Sequence, residues 1–204
     1  ENKIAWKRIR LLGGEPTLHS RILDIIDLLI DYKTAHNPSV RLVLGTNFFG
    51  KQVHQVLAKL PDTIAIKSTL KSSRVNLFKP FNVAPVDTLY NRFSDYTCGC
   101  RIIKECGLGL TPYGYYMCAI AGGIDRIFRY HLGRPKMPAE SDNLSDQMSA
   151  FCGLCGHFGF QWPTRRTKLS KTWRLAYGRL NLANQAGQPD AKVFGRLQSG
   201  QKFS

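Results

Sequence analysis

The first 97 residues of the sequence contain no cysteine, and the whole chain is poor in acidic side chains and in long apolar runs. The chain has 14 aspartates and glutamates and 29 lysines and arginines, which gives a formal net charge of +15. The most apolar stretch, from Ile22 to Ile30, is interrupted by Asp24 and Asp27 and is too short to cross a bilayer. The sequence therefore predicts no membrane-spanning helix. Its apolar share of 43% is that of a globular protein and excludes a wholly disordered chain.

The chain begins at Glu1 and reaches a strand pattern within a dozen residues, without a signal or transit segment before it. A natural start would supply a methionine and usually some lead-in. We therefore expect a fragment of a cytoplasmic protein that lacks an N-terminal part. Its 204 residues are enough for one good core, or for one domain with a small appendage.

Strand and helix patterns alternate over the first 70 residues. Strands are predicted at three short aliphatic runs: 8–12, 40–44 and 63–70. Apolar residues between Leu18 and Ile30 recur at spacings of three and four, which predicts an amphipathic helix with Thr17 as its N-cap. A second helix is predicted over 51–60. This alternation predicts βα units and a parallel sheet, in an α/β domain that spans residues 1–95.

Small and polar residues follow each predicted strand. They are Gly13, Gly14 and Glu15, then Gly45, Thr46 and Asn47, and finally Ser68 and Thr69. Right-handed crossovers place every strand-to-helix turn at one edge of the sheet, where parallel sheets bind ligands. There, glycines let the backbone approach a ligand closely, a carboxylate can bind an ammonium group, and hydroxyl and amide groups can bind a sugar. Plain turn chemistry is the alternative.

Six cysteines lie in one part of the chain: Cys98, Cys100, Cys106, Cys118, Cys152 and Cys155. Without a secretory signal, this clustering favours metal ligation over disulfides. Cys152-x-x-Cys155 is a two-ligand knuckle, in which Gly153 allows the tight turn. Structural zinc sites favour two such knuckles. One knuckle with dispersed partner cysteines fits an iron–sulfur cubane better, because the ligands of a cubane must surround a larger group than a single ion. Zinc stays the alternative.

The composition shifts towards Gly, Cys and Tyr over residues 96–160, which we take as a second domain. Residues 161–204 hold nine lysines and arginines against one aspartate and are taken as a basic C-terminal tail. Trp162, Trp173 and Tyr177 are interleaved with these cations, a pattern that could contact nucleic acid. A solvated, partly helical end is the favoured interpretation.

Two short segments now point to one family. LLGGEPTLH resembles the Gly-Gly-Glu motif after the second strand of radical S-adenosylmethionine (radical SAM) enzymes, where the motif binds the amino group of the methionine moiety. VLGTNFFG resembles the family's next strand, which commonly ends in Thr-Asn-Gly, and Phe48 stands in place of that glycine. The resemblance implies a partial parallel (β/α) barrel. It assigns the methionine end of SAM to Gly13, Gly14 and Glu15, and nucleoside contacts to Thr46, Asn47 and Ser68.

The C-terminal half resembles the auxiliary-cluster modules of the same superfamily, known as SPASM and, in shortened form, twitch. The matching residues are Gly114, Tyr115-Tyr116-Met117-Cys118 and Cys152-Gly-Leu-Cys155. The resemblance implies an auxiliary [4Fe–4S] cluster with four ligands: Cys118, Cys152, Cys155 and one of Cys100 and Cys106. Cys98 is the expected bystander. Three tyrosines are expected to wall the cluster: Tyr113, Tyr115 and Tyr116.

The resemblance covers residues 8–160 and implies an enzyme in which one electron cleaves SAM. The resulting 5′-deoxyadenosyl radical would take a hydrogen atom from a small-molecule or peptide substrate, with flavodoxin or ferredoxin as the electron donor. The family's Cys-x-x-x-Cys-x-x-Cys loop should precede Glu1, so this fragment alone is expected to be inactive. The alternative is a non-catalytic zinc-binding module of a basic nucleic-acid-binding protein, with His157 beside the knuckle as a further ligand.

Overall fold

The computed structural model describes residues 4–68, 80–91, 93–159 and 169–185 of the chain. It divides the chain into two compact units, Glu1–Arg74 and Val75–Ser204. The sequence analysis placed this boundary near residue 95. Residues 80–91 pack within the second unit, because Ala84 is fully buried in its core and the Ala84 N–H donates to Ser170 Oγ.

The first unit contains a three-stranded parallel sheet. Its elements follow in the order β1 (Arg8–Leu11), α1 (Ile22–Ala35), β2 (Arg41–Thr46), α2 (Lys51–Leu57) and β3 (Ile64–Ser68). The strands are ordered β1-β2-β3, and both neighbouring pairs are parallel. The predicted succession of parallel βα units is confirmed. The described residues of the first unit form this open sheet and no closed barrel.

Both helices of the first unit pack on the same face of the sheet. Ile22 and Ile26 of α1 form one core with Leu42 and Leu44 of β2, and Val56 of α2 packs against that core. Right-handed crossovers between neighbouring parallel strands produce this arrangement.

The sequence misplaced the start of α1. The N-cap is Arg21 rather than Thr17, and no side chain caps the helix there. Thr17 instead lies buried in a short 3₁₀ turn, Pro16–Leu18, that comes before α1. The predicted second helix also ends earlier, at Leu57, although Leu60 still packs against the core.

The second unit packs short helices around a β-hairpin. Its elements are α3 (Arg101–Cys106), β4 (Gly109–Thr111), β5 (Gly114–Tyr116), α4 (Ala121–Phe128), α5 (Ser145–Phe151) and α6 (Lys171–Gln185). The strands β4 and β5 pair antiparallel. Tyr116, Ile124, Phe151 and Trp173 are at most 1% exposed and belong to one core.

The helix α6 belongs to this core, although the sequence placed it in a solvated tail. Trp173 is fully buried, and its indole Nε1 donates a hydrogen bond of 2.7 Å to the Leu154 carbonyl oxygen. The Asp87 carboxylate accepts hydrogen bonds from the backbone N–H and the hydroxyl of Thr172. Trp173 is therefore not available to stack on a base, and Trp162 lies outside the described residues.

Among the described residues, no helix combines the length and the apolar character that crossing a membrane requires.

Candidate functional site

Four of the six cysteines line one cavity in the second unit. Cys100 precedes α3, Cys118 follows β5, and Cys152 and Cys155 lie at the end of α5. The cavity has a volume of about 10 Å³, and most of its remaining wall is apolar: Ile102, Ile103, Met117, Ile120, Ile124 and Phe158. The fold thus gathers cysteines from three separate segments of the chain.

The Cys152-x-x-Cys155 knuckle is one 3₁₀ turn, Cys152–Leu154, that extends α5. The Cys155 N–H donates to the Cys152 carbonyl oxygen at 3.2 Å. Gly153 does not adopt a left-handed backbone, contrary to the turn argument from the sequence. A Cβ there would lie 2.9 Å from Val86 Cγ1, so close packing requires the glycine.

Gln147 holds the chain just before Cys118. This fully buried side chain accepts a hydrogen bond of 2.8 Å from the Met117 N–H. Its amide nitrogen donates to the carbonyl oxygens of Tyr115 and Leu132 at 3.2 and 2.7 Å. The sequence analysis missed Gln147. A signal existed, because a polar residue stands there within the apolar stripe of α5.

A second buried polar side chain, Asp125, supports the same region. Its carboxylate accepts hydrogen bonds from the Tyr116 hydroxyl and from the N–H groups of His131 and Leu132. Burial, together with the hydrogen bond to Asp125, raises the pKa of Tyr116 above its usual range. Tyr116 is therefore a neutral donor that fixes β5 against α4.

Burial also keeps the thiols of Cys118 and Cys152 protonated. Burial and, after it, the negative charge of neighbouring cysteine thiolates raise the pKa of Cys152 to about 12. Burial also raises the pKa of Cys118. Several thiolates cannot share this apolar cavity without a compensating positive charge, and a metal centre supplies such charge.

The chemistry of the donor set fits an iron–sulfur centre, although the thiols are not positioned around one metal ion. All six cysteines are free thiols. Within the described ranges, no group of three or more Cys, His, Asp and Glu side chains is spaced to bind a single ion. The cavity has room for about one water. A cubane needs more room than this cavity provides.

Two of the cysteines, among them the expected bystander Cys98, lie away from this cavity. Cys98 is exposed, and its Sγ lies 3.0 Å from the Asp95 carbonyl oxygen. Cys106 ends α3 and does not line the cavity. The expected wall of tyrosines was wrong, because Tyr113, Tyr115 and Tyr116 are absent from the cavity lining and aliphatic side chains take their place. His157 is half-buried and lines the cavity.

In the first unit, Glu15 joins the ends of β1 and β2. One carboxylate oxygen accepts from the Asn47 N–H at 2.7 Å and from Thr46 Oγ1 at 3.0 Å. The other accepts from the N–H and the hydroxyl of Thr17. Glu15 and Asn47 therefore share one edge of the sheet, as the sequence predicted, and Ser68 pairs with Thr46 at the same edge.

These hydrogen bonds determine what the Glu15 carboxylate can do. Partial burial acts to raise its pKa, but the hydrogen bonds from Asn47, Thr17 and Thr46 outweigh burial and lower the pKa below its usual value. A carboxylate has about four acceptor positions. Four donors within the unit already contact the Glu15 carboxylate. Glu15 therefore fixes the shape of this edge of the sheet and also gives it a negative charge.

The two glycines before Glu15 lie beside open space. A Cβ placed on Gly13 or Gly14 would meet no atom of the described residues within 4 Å, and neither backbone is left-handed. In contrast, a Cβ on Gly45 would lie 2.7 Å from Leu12 Cδ2. Within the described residues, neither local packing nor a left-handed backbone explains why Gly13 and Gly14 are glycines.

Phe48 follows this edge in the backbone conformation that suits glycine. Its φ is 59°, in the left-handed region that is costly for a bulky side chain. The Phe48 ring packs edge-on against His54 with centroids 5.0 Å apart. The position where the resemblance expects a glycine thus has a glycine-like backbone.

The sheet face opposite α1 and α2 carries cations that the sequence analysis did not single out. Side chains alternate along a strand, and Ile9, Leu42 and Ile64 belong to the helix-covered core. The cations on the other face are Arg8, Arg10, Arg41 and Lys67. Among the described residues, the buried Nε of Arg10 has no hydrogen-bond partner. This face thus offers positive charge to an anionic group.

Comparisons of this chain with models of protein families, with curated proteins and with solved structures found no match.

Proposed function

We propose that this chain is part of a radical SAM enzyme whose second unit binds an auxiliary [4Fe–4S] cluster. Cys100, Cys118, Cys152 and Cys155 would be its ligands. The observation that carries the proposal is that four thiols from three segments line one apolar cavity. Thiolates are the ligands that iron–sulfur clusters use.

The residues around the cavity would hold the ligands in place. When bound, such a cluster supplies one-electron chemistry at a potential set by charge, hydrogen bonding and exposure. The aliphatic wall would keep bulk solvent away from the cluster. Gln147 positions Met117 and so the segment that leads to Cys118. Trp173 binds Leu154 within the knuckle and so fixes its orientation.

The carboxyl edge of the first sheet would bind SAM. Gly13 and Gly14 would admit the methionine end of the cofactor, and Glu15 would contribute charge and hold the edge in shape. Thr46, Asn47 and Ser68 are the candidates for nucleoside contacts. Arg10, on the cationic face, is a candidate partner for a carboxylate. Flavodoxin or ferredoxin would deliver electrons, and the substrate would be a small molecule or a peptide.

The experiment is anaerobic reconstitution of the 204-residue chain with iron and sulfide. We expect about four iron and four sulfide per chain, as a [4Fe–4S] cluster requires. Alanine at Cys100, Cys118, Cys152 or Cys155 should abolish or sharply reduce the incorporation. Cys98→Ala is the matched control and should load like the wild type. If the Cys118→Ala and Cys152→Ala variants incorporate as much iron and sulfide as the wild type, the proposed site is wrong.

A structural zinc site in a basic, nucleic-acid-binding protein is the second candidate. The small volume of the cavity favours it, because one zinc ion needs less room than a cubane, and His157 lies in the wall. The same preparations separate the two. A colourless protein that binds one zinc tightly and no sulfide would favour zinc, whereas a brown protein with bound sulfide would favour the cluster.

A further inference from the structure

Residues at the end of α4 and the middle of α6 form a second cavity in the Val75–Ser204 unit. Its volume is about 150 Å³, and it shares no lining residue with the cysteine cavity. A cavity of about this volume can hold one benzene molecule. The space therefore suits a ligand with a single ring.

The lining combines two guanidinium groups with an apolar wall. Arg129 and Arg179 supply the positive charge, while Phe128, Tyr130 and Leu180 supply ring and aliphatic surface. Among the described residues, no acidic side chain lines the cavity. A guanidinium presents several N–H donors in one plane, which matches the two oxygens of a carboxylate.

The backbone at Arg129 supports a binding role. Arg129 caps the end of α4 in the left-handed region, with φ 58° and ψ 40°, and its N–H donates to the Asp125 carbonyl oxygen. Glycine is the usual residue at such a cap, since other residues pay a conformational cost there. Arg129 adopts this unfavourable backbone conformation, and its cationic side chain lies in the cavity wall.

The aromatic rings in the cavity wall pack against aromatic rings of the core. The ring of Tyr130 stacks on that of Phe151 at an interplanar angle of 12° with centroids 6.1 Å apart. Phe128 packs edge-on against the buried Trp173 with centroids 5.0 Å apart. These contacts fix the rings in place before a ligand arrives, which lowers the entropic cost of binding.

We propose that this cavity binds a small aromatic carboxylate. The carboxylate contacts Arg129 and Arg179, and the ring lies against Phe128 and Tyr130. This inference does not depend on the cysteine site or on SAM, because none of its residues belongs to either.

Calorimetric titration of the full chain with benzoate tests the proposal. Benzyl alcohol, which has the ring without the charge, and acetate, which has the charge without the ring, are the ligand controls. We expect saturable binding of benzoate and at least about tenfold weaker binding of both controls, because benzyl alcohol lacks the charge that the guanidinium groups bind and acetate lacks the ring that the apolar wall buries.

Two variants locate the binding. Arg179→Gln removes an exposed cation from α6 without touching the core and should weaken benzoate binding at least about tenfold. Arg129→Gln should do the same. Arg174→Gln is the matched control, because Arg174 is also exposed on α6 but does not line the cavity. Absence of saturable benzoate binding would overturn the proposal. So would equal affinity for benzyl alcohol, or an unchanged affinity in both lining variants.

Discussion

At the scale of single residues, Gln147 holds the segment that leads to Cys118 in the cysteine cavity. Replacing it with leucine leaves the Met117 N–H without its partner. The Tyr115 and Leu132 carbonyl oxygens each lose one hydrogen bond and keep one from Arg134. Each buried group that loses its hydrogen bond costs about 1–3 kcal/mol. We expect Gln147→Leu to lower the free energy of unfolding by about 2–4 kcal/mol, measured by urea denaturation.

The matched control for Gln147 lies two residues further along α5. Ser149 is exposed, and its hydroxyl donates only to the Ser145 carbonyl oxygen within the same helix. Ser149→Ala should change the free energy of unfolding by less than about 0.5 kcal/mol. Equal effects of the two substitutions would contradict the role assigned to Gln147.

Glu15 should make the stability of the chain depend on pH. Its folded pKa lies below the ordinary value of 4.5, so the folded state favours the ionised carboxylate. The stabilisation is fully present above that ordinary value and is lost as the pH falls through the folded pKa. Glu15→Gln should therefore destabilise the chain at pH 7 by about 1 kcal/mol and much less at pH 3.

Chemical denaturation of the wild type and Glu15→Gln at both pH values measures this difference. Asp62→Asn, at an exposed turn before β3, is the control and should show nearly the same small effect at the two values. A Glu15→Gln effect that grows as the pH falls would show that the sign is wrong.

At the scale of elements, the indole ring of Trp173 is the largest buried group with which α6 packs in the second unit. Trp173 is fully buried and binds the Leu154 carbonyl oxygen. Trp173→Ala should cost about 3–5 kcal/mol, as removal of a large core side chain does. Trp173→Phe keeps most of the packing and should cost about 1–3 kcal/mol through the lost hydrogen bond. Thermal denaturation measures both, and Leu175→Ala, at a residue 56% exposed on the same helix, should be nearly silent.

Periodicity predicted the elements of the first unit well, because each of its strands and helices carries its own apolar pattern. The start of α1 was predicted wrongly, because Thr17 has the side chain of a good N-cap but its hydroxyl donates a hydrogen bond to the Glu15 carboxylate instead. The role of α6 also escaped prediction, because its burial depends on one tryptophan in a segment whose average character is basic. Contacts with residues far along the chain decide such cases, and local pattern does not contain them.

The candidate site was predictable in part for the same reason. The ends of parallel strands must share an edge, so the meeting of Glu15 and Asn47 followed from topology. The cysteine spacing indicated a shared site, but it could not choose between Cys100 and Cys106. That choice depends on how α3 is placed against α4 and α5. The cationic face of the sheet could have been found from the alternating Arg-Ile-Arg pattern of β1.

At the scale of the whole molecule, we expect this chain alone not to cleave SAM. Residues 1–97 contain no cysteine, so the first unit offers no thiolate for a catalytic cluster. If four thiolates bind the auxiliary cluster, it has no open iron for SAM. Incubation of the reconstituted chain with dithionite and SAM should give no 5′-deoxyadenosine above a control without protein. Clear formation of 5′-deoxyadenosine would show that one iron is open and that the cluster is not auxiliary.

The most direct test of the cysteine site is anaerobic native mass spectrometry of the full chain offered iron, sulfide and zinc together. A bound cubane adds four irons and four sulfides, about 350 Da in total, whereas one zinc adds about 65 Da. We predict a single adduct of the larger mass, lost in Cys118→Ala and retained in Cys98→Ala. A chain that takes up one zinc instead, or neither metal, would contradict the assignment of this cavity to an iron–sulfur cluster.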